Sequence, residues 1–257
     1  MLLEERVARA TTEAEAVKLA RELYGLEVAA RALPGEYDDN FHLTSVGSDT
    51  QAQRKIAVPL SDSNTQHGFV LKVMHPARER AFIDMQCRAL QHLAQGAPQL
   101  TLPRVRLNLN GESFAAITAA DGTQRLLWLL SYVPGTMLVK ARPHSPELLQ
   151  SLGSFLGAMD AALLTFTHQA TKRDLKWDST RASWIRQHLA LVRDASQRAL
   201  VEKFLTLYES EALAALPALR RSVVYGDAND YNVLVGEPLP LPRKVISVID
   251  LATCTRP

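Results

Sequence analysis

The apolar residues in the first half of the chain recur first at helical spacing and then at strand spacing. Helical spacing runs from residue 4 to Tyr24, where Gly25 follows as a stop signal, so an amphipathic opening helix is expected. Short apolar stretches between polar turns then predict antiparallel strands. The predicted strands are residues 26–32, 40–46, 69–73, 114–119 and 125–133.

One more helix is expected among these strands, over residues 76–94, with Phe82, Met85, Leu90 and Leu93 facing inward. The polar stretch 47–68 is long for a hairpin connection and predicts an insertion to which no chemistry is assigned. Helix and strands together predict a first, β-rich lobe over residues 1–133.

Beyond Pro134-Gly135 the pattern becomes helical. Ser145 followed by Pro146 is typical of a helix N-terminus, with serine as the cap and proline at the first helical position. A second amphipathic helical region is expected over residues 180–216. The order of a β-rich lobe, a hinge and a helical lobe over residues 134–257 predicts an α+β fold with two lobes.

Length, charge and cysteine content narrow the class of protein. The 257 residues are 47% hydrophobic, which suffices for one large domain or two small lobes. The formal net charge of +2 is spread along the chain, so neither a nucleic acid nor a membrane surface is an expected partner. Cys87 and Cys254 stand far apart, and the first twenty residues lack a signal-peptide or membrane-spanning pattern, so a cytoplasmic protein is expected.

Candidate chemistry is concentrated between residues 222 and 250. Short apolar strands bracket a polar loop that contains Asp227 and Asn232, and a further strand ends at Asp250. Phosphoryl transfer needs an acceptor group to orient a hydroxyl and oxygen ligands to hold Mg²⁺, and these residues supply both. The alternatives are a turn-forming aspartate, a strand-edge asparagine and a surface carboxylate.

The pattern D-x-x-x-x-N, followed by a strand that ends in Asp, resembles the aminoglycoside phosphotransferase family, whose members are related to protein kinases. The sequence GDANDYNVLV resembles most strongly the hydroxylysine-kinase-like branch and the kinase domains fused to class III aminotransferases. FVLKV around Lys72, LLSYVPG at 129–135 and Trp177-Asp178 fit the same resemblance. It implies a protein-kinase-like fold in which Asp227 is the catalytic base and Asn232 and Asp250 are magnesium ligands.

The resemblance also implies a set of ATP-binding residues. Lys72 lies in an apolar strand, where a buried ammonium needs anionic oxygens, and in the family this lysine contacts the nucleotide phosphates. The alternative is a lysine that reaches solvent from an edge strand. The expected partner of Lys72 is Gln86, with Glu79 or Asp84 as substitutes.

Two further segments complete the predicted nucleotide site. Residues 34–41, which include Asn40, occupy the place of the phosphate-covering loop but lack its glycine pattern, so a tight turn with solvated acids is an equal alternative. The backbone of Ser131 to Val133 is expected to meet adenine at the hinge.

Two features depart from the family pattern. Tyr225 stands where the family has histidine, and the chain stops soon after Asp250, so the C-terminus is expected to be truncated. We hypothesise that the tail is a frameshift product, because one restored G converts suitable codons for Ala-Thr-Cys-Thr-Arg into Gly-Asp-Met-His-Pro.

The expected activity is transfer of the γ-phosphate of MgATP to a hydroxyl of a small molecule, with an amino alcohol such as hydroxylysine favoured by the resemblance. The alternative is an impaired or truncated kinase-like domain that acts as a nucleotide-binding or accessory module of an aminotransferase fusion.

Overall fold

The computed structural model describes residues 10–46, 68–172, 178–238, 241–251 and 254–255. The opening helix α1 is Glu13–Tyr24, so it begins later than residue 4, where the prediction placed its start. Thr12 and Glu15 form a capping box at its N-terminus, in which each side chain accepts a hydrogen bond from the backbone N–H of the other residue. Gly25 ends α1 in the left-handed conformation, as expected for a stop signal.

An antiparallel sheet of six strands follows α1. The strand order is β1-β2-β3-β6-β4, and β5 also pairs with β6. The five predicted strands are confirmed with ends shifted by a few residues, whereas β4 was missed because two residues are too few to show an alternating pattern. The strands are β1 (Val28–Leu33), β2 (Asp39–Ser45), β3 (Phe69–Val73), β4 (Val105–Arg106), β5 (Ala115–Thr118) and β6 (Gln124–Ser131).

The two faces of this sheet bury different hydrophobic clusters. One face packs against α1 through residues such as Phe41, Leu71 and Leu129. The other face presents Trp128 and Leu130 to a larger cluster, which contains the buried side of helix α2 (Arg80–Gly96) and continues into the second half of the chain. Since alternate residues of a strand point to opposite faces, Lys72 shares the α2 face with Trp128, its register partner on β6.

Helix α2 begins at Arg80, four residues after the predicted start at Pro76. The N–H of Arg78 donates to the carbonyl of His75 at 2.9 Å, so a turn precedes the helix. All four residues predicted to face inward, Phe82, Met85, Leu90 and Leu93, are buried as expected.

The second half of the chain combines helix α3 (Pro146–Leu163) with small sheets. Ser145 caps α3 as predicted, because its hydroxyl accepts a hydrogen bond from the N–H of Leu148 at 3.3 Å. One small sheet has the order β10-β9-β7, and a second pairs β11 with β8. These strands are β7 (Thr136–Met137), β8 (Val224–Tyr225), β9 (Val233–Val235), β10 (Val245–Val248) and β11 (Cys254–Thr255).

The helical region predicted over 180–216 is interrupted. A 3-10 stretch, Ser179–Leu191, is followed by helix α4 (Ala195–Leu207), which starts where the Asp194 side chain accepts a hydrogen bond from the N–H of Gln197. Leu200 and Phe204 of α4 are 55% and 59% exposed, whereas Leu205 is buried. The region predicted over 180–216 is therefore helical but divided, and its apolar residues are not all buried.

The predicted insertion at 47–68 lies, apart from Gly68, outside the described residues, as do Trp177 and most of the tail after Leu251. No helix among the described residues combines the length and apolar character needed to cross a bilayer. The domain boundary after Val133 stays a prediction.

Candidate active site

The loop between β8 and β9 holds Asp227 and Asn232 against each other. The Asn232 Nδ2 donates to the Asp227 Oδ2 at 3.0 Å and to the Asp227 carbonyl at 3.2 Å. Both contacts use the amide nitrogen of Asn232, and neither engages its amide oxygen. The five-residue spacing thus pairs a carboxylate with a side-chain amide.

Asn229 organises the same loop and was not singled out from the sequence. Its Nδ2 donates to the Asp227 Oδ1 at 2.7 Å, and its Oδ1 accepts a hydrogen bond from the N–H of Tyr231 at 2.9 Å. The second contact closes an Asx turn, a conformation that asparagine favours. The available indication in the sequence was the pair Asn229-Asp230, since asparagine and aspartate are common in turns.

Asp250 is joined to this loop through the backbone. The N–H of Ile249 donates to the carbonyl of Asn232 at 2.8 Å, and the Tyr225 hydroxyl donates to the carbonyl of Ile249 at 2.7 Å. Asp250 itself has a φ of 61°, the left-handed region that few non-glycine residues adopt and that is often found at functional sites. Tyr225 therefore supports the chain next to Asp250.

Lys72 reaches the same place from the six-stranded sheet. Its Nζ lies 3.4 Å from the Asp250 Oδ1, and its side chain is 11% exposed, against 42% for Asp250. The Nζ also lies 6.0 Å from the centroid of the Trp128 ring. The alternative of a lysine that extends to solvent is wrong, because the ammonium is largely buried and paired with a carboxylate.

Gln86 does not hold Lys72, so that prediction was wrong. The Gln86 side chain is fully buried, and neither its amide nitrogen nor its amide oxygen has a hydrogen-bond partner among the described residues. Lys72 is instead paired with Asp250, whose carboxylate carries the charge that the Gln86 amide lacks.

Asp84, the suggested substitute for Gln86, is engaged elsewhere. Its Oδ2 accepts hydrogen bonds from the Arg88 Nε at 2.8 Å and lies 3.0 Å from the His168 Nε2. Burial acts to raise the pKa of Asp84, but the hydrogen bonds with His168 and Arg88 outweigh it, and the pKa lies below its ordinary value. Asp84 thus ties α2 to the segment after α3. The other suggested substitute, Glu79, occupies the N-cap position of α2, but its side chain makes no capping hydrogen bond.

The loop over residues 34–41 is closed by Asn40. The Asn40 Nδ2 donates to the carbonyl of Pro34 at 3.3 Å, and Asn40 lies opposite Lys72 in the pairing of β2 with β3. A Cβ on Gly35 would lie 2.2 Å from the carbonyl oxygen of Asp38, so this turn requires glycine. Asn40 is therefore placed beside the lysine, although its contact with a nucleotide stays a prediction.

Two acids of this loop, Asp38 and Asp39, are not solvated, whereas Glu36 is exposed, so the alternative of solvated acids is corrected for the first two only. The Asp38 carboxylate accepts hydrogen bonds from the His75 N–H at 2.7 Å and from the Arg78 Nη2 at 3.2 Å. The buried Asp39 pairs with the buried Arg125, whose Nη1 lies 2.8 Å from the Asp39 Oδ2. Both acids fasten the loop to the rest of the sheet.

Ser131, the first of the predicted hinge residues, is the last residue of β6 and is hydrogen-bonded to Arg104. The N–H of Ser131 donates to the carbonyl of Arg104 at 2.8 Å, and the Ser131 hydroxyl accepts a hydrogen bond from the Arg104 N–H at 2.9 Å. The N–H of Ser131 is therefore engaged within the sheet, whereas its hydroxyl can still donate a hydrogen bond and its carbonyl takes no part in these two contacts, so the expected contact of Ser131 with adenine stays a prediction. The contact expected from Val133 stays a prediction.

Two negative observations delimit the site. Among the described residues, no group of three His, Cys, Asp or Glu side chains is placed to hold a metal ion, so any metal here would depend on the amide of Asn232 as well as on carboxylates. A cavity of about 370 Å³ lies between α1 and β5 and is lined by residues such as Glu15, Lys18 and Asp121. That cavity contains none of the candidate site residues.

Comparison with solved structures identifies the fold. The chain aligns with a microcompartment-associated aminopropanol kinase at a TM-score of 0.64 and 19% identity, over 95% of this chain and 70% of that one. It aligns with an amicoumacin kinase, whose structure contains AMP-PNP and Ca²⁺, at a TM-score of 0.62 and 17% identity, over 96% of this chain and 66% of that one. These similarities define the kinase-like α+β fold expected from the sequence.

Sequence comparison then identifies the family. The profile of the phosphotransferase enzyme family (APH) matches residues 48–256, which is most of the chain, and the chain therefore belongs to this family. It is 28% identical over 252 residues to hydroxylysine kinase of Danio rerio, covering 94% of this chain and 65% of that protein. It is 24% identical over 234 residues to hydroxylysine kinase of Bos taurus, covering 87% and 58%. The chain thus spans 58–65% of the length of these relatives.

Proposed function

We propose that this protein binds ATP with a divalent metal ion and transfers the γ-phosphate to a hydroxyl of a small amino alcohol. The observation that carries the proposal is a series of three contacts. Lys72 pairs with Asp250, and the backbone N–H of the adjoining Ile249 donates to the Asn232 carbonyl. The Asn232 amide in turn donates to Asp227. These contacts bring a cation, two carboxylates and an amide from distant parts of the chain to one place. That inventory matches the needs of phosphoryl transfer.

The donor set fits a hard divalent cation such as Mg²⁺. The Asp250 carboxylate is partly exposed, and the contacts of Asn232 with Asp227 leave its amide oxygen unused, so both side chains can offer oxygen ligands. When bound, the metal would neutralise negative charge on the nucleotide phosphates. Lys72 would add its ammonium to the same task, since the phosphate oxygens offer it the anionic partner that Asp250 provides in this structure.

Asp227 is the group that would accept the hydrogen bond of the acceptor hydroxyl. It is an acceptor-only side chain when ionised, and Asn229 and Asn232 each donate to one of its oxygens. Each carboxylate oxygen has two lone pairs, so one hydrogen bond on each leaves room for an incoming hydroxyl. Such a group contributes by orienting the nucleophile and taking its proton.

The acceptor is proposed from the relatives and not from a pocket. The curated relatives named above are hydroxylysine kinases, and one solved structure is an aminopropanol kinase, so both printed substrates are amino alcohols. An accessory role beside an aminotransferase has no support among the proteins named above. The cytoplasmic location stays a prediction.

The test compares two acceptors that differ in one hydroxyl. ADP release from ATP and Mg²⁺ is measured with 5-hydroxylysine and, as the matched control, with lysine. We expect ADP release with hydroxylysine but not with lysine. In Asp227→Ala this release should be lost, while MgATP still raises the Tm of that variant in a thermal melt. Unchanged turnover in Asp227→Ala would remove the proposed base, and equal turnover with lysine would remove the proposed acceptor class.

A further inference from the structure

Both carboxylate oxygens of Asp227 are held by side-chain amides. The Asn229 Nδ2 donates to Oδ1 at 2.7 Å, and the Asn232 Nδ2 donates to Oδ2 at 3.0 Å. Asp227 is partly buried, whereas Asn229 is exposed. A terminal carboxylate torsion is broad and roughly two-fold, so one hydrogen bond on each oxygen defines the plane of the group far better than one alone.

The Asn229 amide has a defined orientation of its own. Its Oδ1 accepts the N–H of Tyr231 at 2.9 Å, and its carbonyl accepts the N–H of Asn232 at 3.0 Å. Exchanging the amide nitrogen and oxygen would place two acceptors together at Asp227 and two donors together at Tyr231. The turn therefore aims the Asn229 donor at Asp227.

Asn232 has a second task in the proposed reaction besides its contact with Asp227. Its amide oxygen is a proposed metal ligand, so the position of Asn232 depends on the metal as well as on Asp227. Asn229 has no such second task among the contacts of the described site: its side chain contacts the Tyr231 N–H and Asp227. It is the donor whose position follows from the loop itself.

We infer that Asn229 is a positioning residue, which sets the orientation of the Asp227 carboxylate for the acceptor hydroxyl. The inference rests on the proposed function, in which Asp227 accepts that hydrogen bond. A base must lie within about 2.6–3.2 Å of the proton-bearing oxygen, so a freely turning carboxylate spends less time in the productive geometry. Asn229 thereby acts on turnover through Asp227 without contacting the nucleotide.

Two substitutions separate this role from that of a turn residue. Asn229→Asp keeps an oxygen acceptor for the Tyr231 N–H but places a carboxylate against Asp227, whereas Asn229→Ala removes both contacts. If Asn229 only closed the turn, Asn229→Asp would be active and Asn229→Ala would not. A positioning role predicts that Asn229→Asp is impaired at least as strongly as Asn229→Ala.

The experiment measures kcat and the KM for ATP with 5-hydroxylysine as acceptor. We expect kcat to fall by about 10- to 100-fold in both variants, a loss typical of a misplaced catalytic group, while the KM for ATP changes less than about twofold. The thermal midpoint of Asn229→Asp should stay near that of the unmodified protein. Near-normal kcat in Asn229→Asp would overturn the inference.

A second measurement does not need turnover. The side-chain amide resonance of Asn229, assigned in ¹H–¹⁵N spectra by its loss in Asn229→Asp, should shift in Asp227→Ala because its anionic acceptor is gone. A protein that releases no ADP with any acceptor would refute the proposed function and, with it, a role of Asn229 in turnover. The resonance then tests separately whether Asn229 orients the Asp227 carboxylate. An unshifted resonance in Asp227→Ala overturns it.

Discussion

Replacing Gln86 by methionine should stabilise the protein. Gln86 lies in the middle of α2 and is fully buried, and its amide nitrogen and oxygen have no hydrogen-bond partner among the described residues. The surroundings are apolar, since Ile83, Met85 and Leu90 of the same helix are buried in the adjoining cluster. An unsatisfied buried amide is costly, because it gives up water without gaining a partner.

The size of the effect follows from that cost. Leaving a buried polar group unsatisfied costs about 1–3 kcal/mol. Methionine is unbranched and of similar size, so the substitution removes the amide without a large cavity or overpacking. We therefore expect a gain of about 1–2 kcal/mol in the free energy of unfolding. For a domain of this size, each kcal/mol raises Tm by roughly 2–4 °C.

The assay is thermal and urea denaturation of the Gln86→Met variant, with Gln91→Met as the matched control. Gln91 lies on the exposed side of the same helix and donates to the Ser113 hydroxyl at 3.3 Å. Its replacement should change stability by no more than about 0.5 kcal/mol. Affinity for MgATP should remain within about twofold in Gln86→Met, because the amide makes no hydrogen bond to a candidate site residue.

Two results would refute this reasoning. A lower Tm in Gln86→Met than in the unmodified protein would mean that the buried amide of Gln86 does not destabilise the fold. A large loss of MgATP affinity would mean that Lys72 moves from Asp250 to Gln86 when nucleotide binds, as the family resemblance implied.

Three other substitutions test the supports of the site. Tyr225→Phe removes the donor to the Ile249 carbonyl and should lower the free energy of unfolding by about 0.5–1.5 kcal/mol in urea titrations; no change would mean that this contact is not formed. Arg125→Met leaves the buried Asp39 carboxylate without its partner and should cost about 3–5 kcal/mol, so a variant with unaltered stability would contradict the buried ion pair. Burial raises the pKa of Asp160, so the folded state disfavours its charge at neutral pH. Asp160→Asn should therefore raise Tm near pH 7, and the gain should shrink as pH falls through the raised pKa, whereas a gain independent of pH would exclude this explanation.

Local sequence signals predicted the elements that place the site. The apolar run around Lys72 forms a central strand, because a sheet that is buried on both faces needs apolar residues on each face. Ser145 caps α3 through its own side chain. The spacing of Asp227 and Asn232 predicted their proximity, because a short loop between two strands returns the chain upon itself. These features depend on neighbours in sequence.

Other features depend on tertiary contacts and could not be predicted in the same way. The partner of Lys72 is Asp250, 178 residues away, and nothing local to α2 shows that Gln86 is left without a partner. The break before α4 was visible in principle, since Asp194 is followed by Gln197 at capping distance, but the apolar spacing across it favoured one helix. The left-handed backbone of Asp250 has no sequence signal beyond aspartate's tolerance of that region.

Calorimetric titration with ATP, in the presence and absence of Mg²⁺, tests most directly whether Lys72, Asp250 and Asn232 form one metal-nucleotide site. The unmodified protein should bind ATP only with Mg²⁺. Asp250→Ala should weaken MgATP binding by at least about tenfold, a loss that even the outer partners of metal sites produce. Binding of equal strength with EDTA present, or in Asp250→Ala, would contradict a shared metal-nucleotide site.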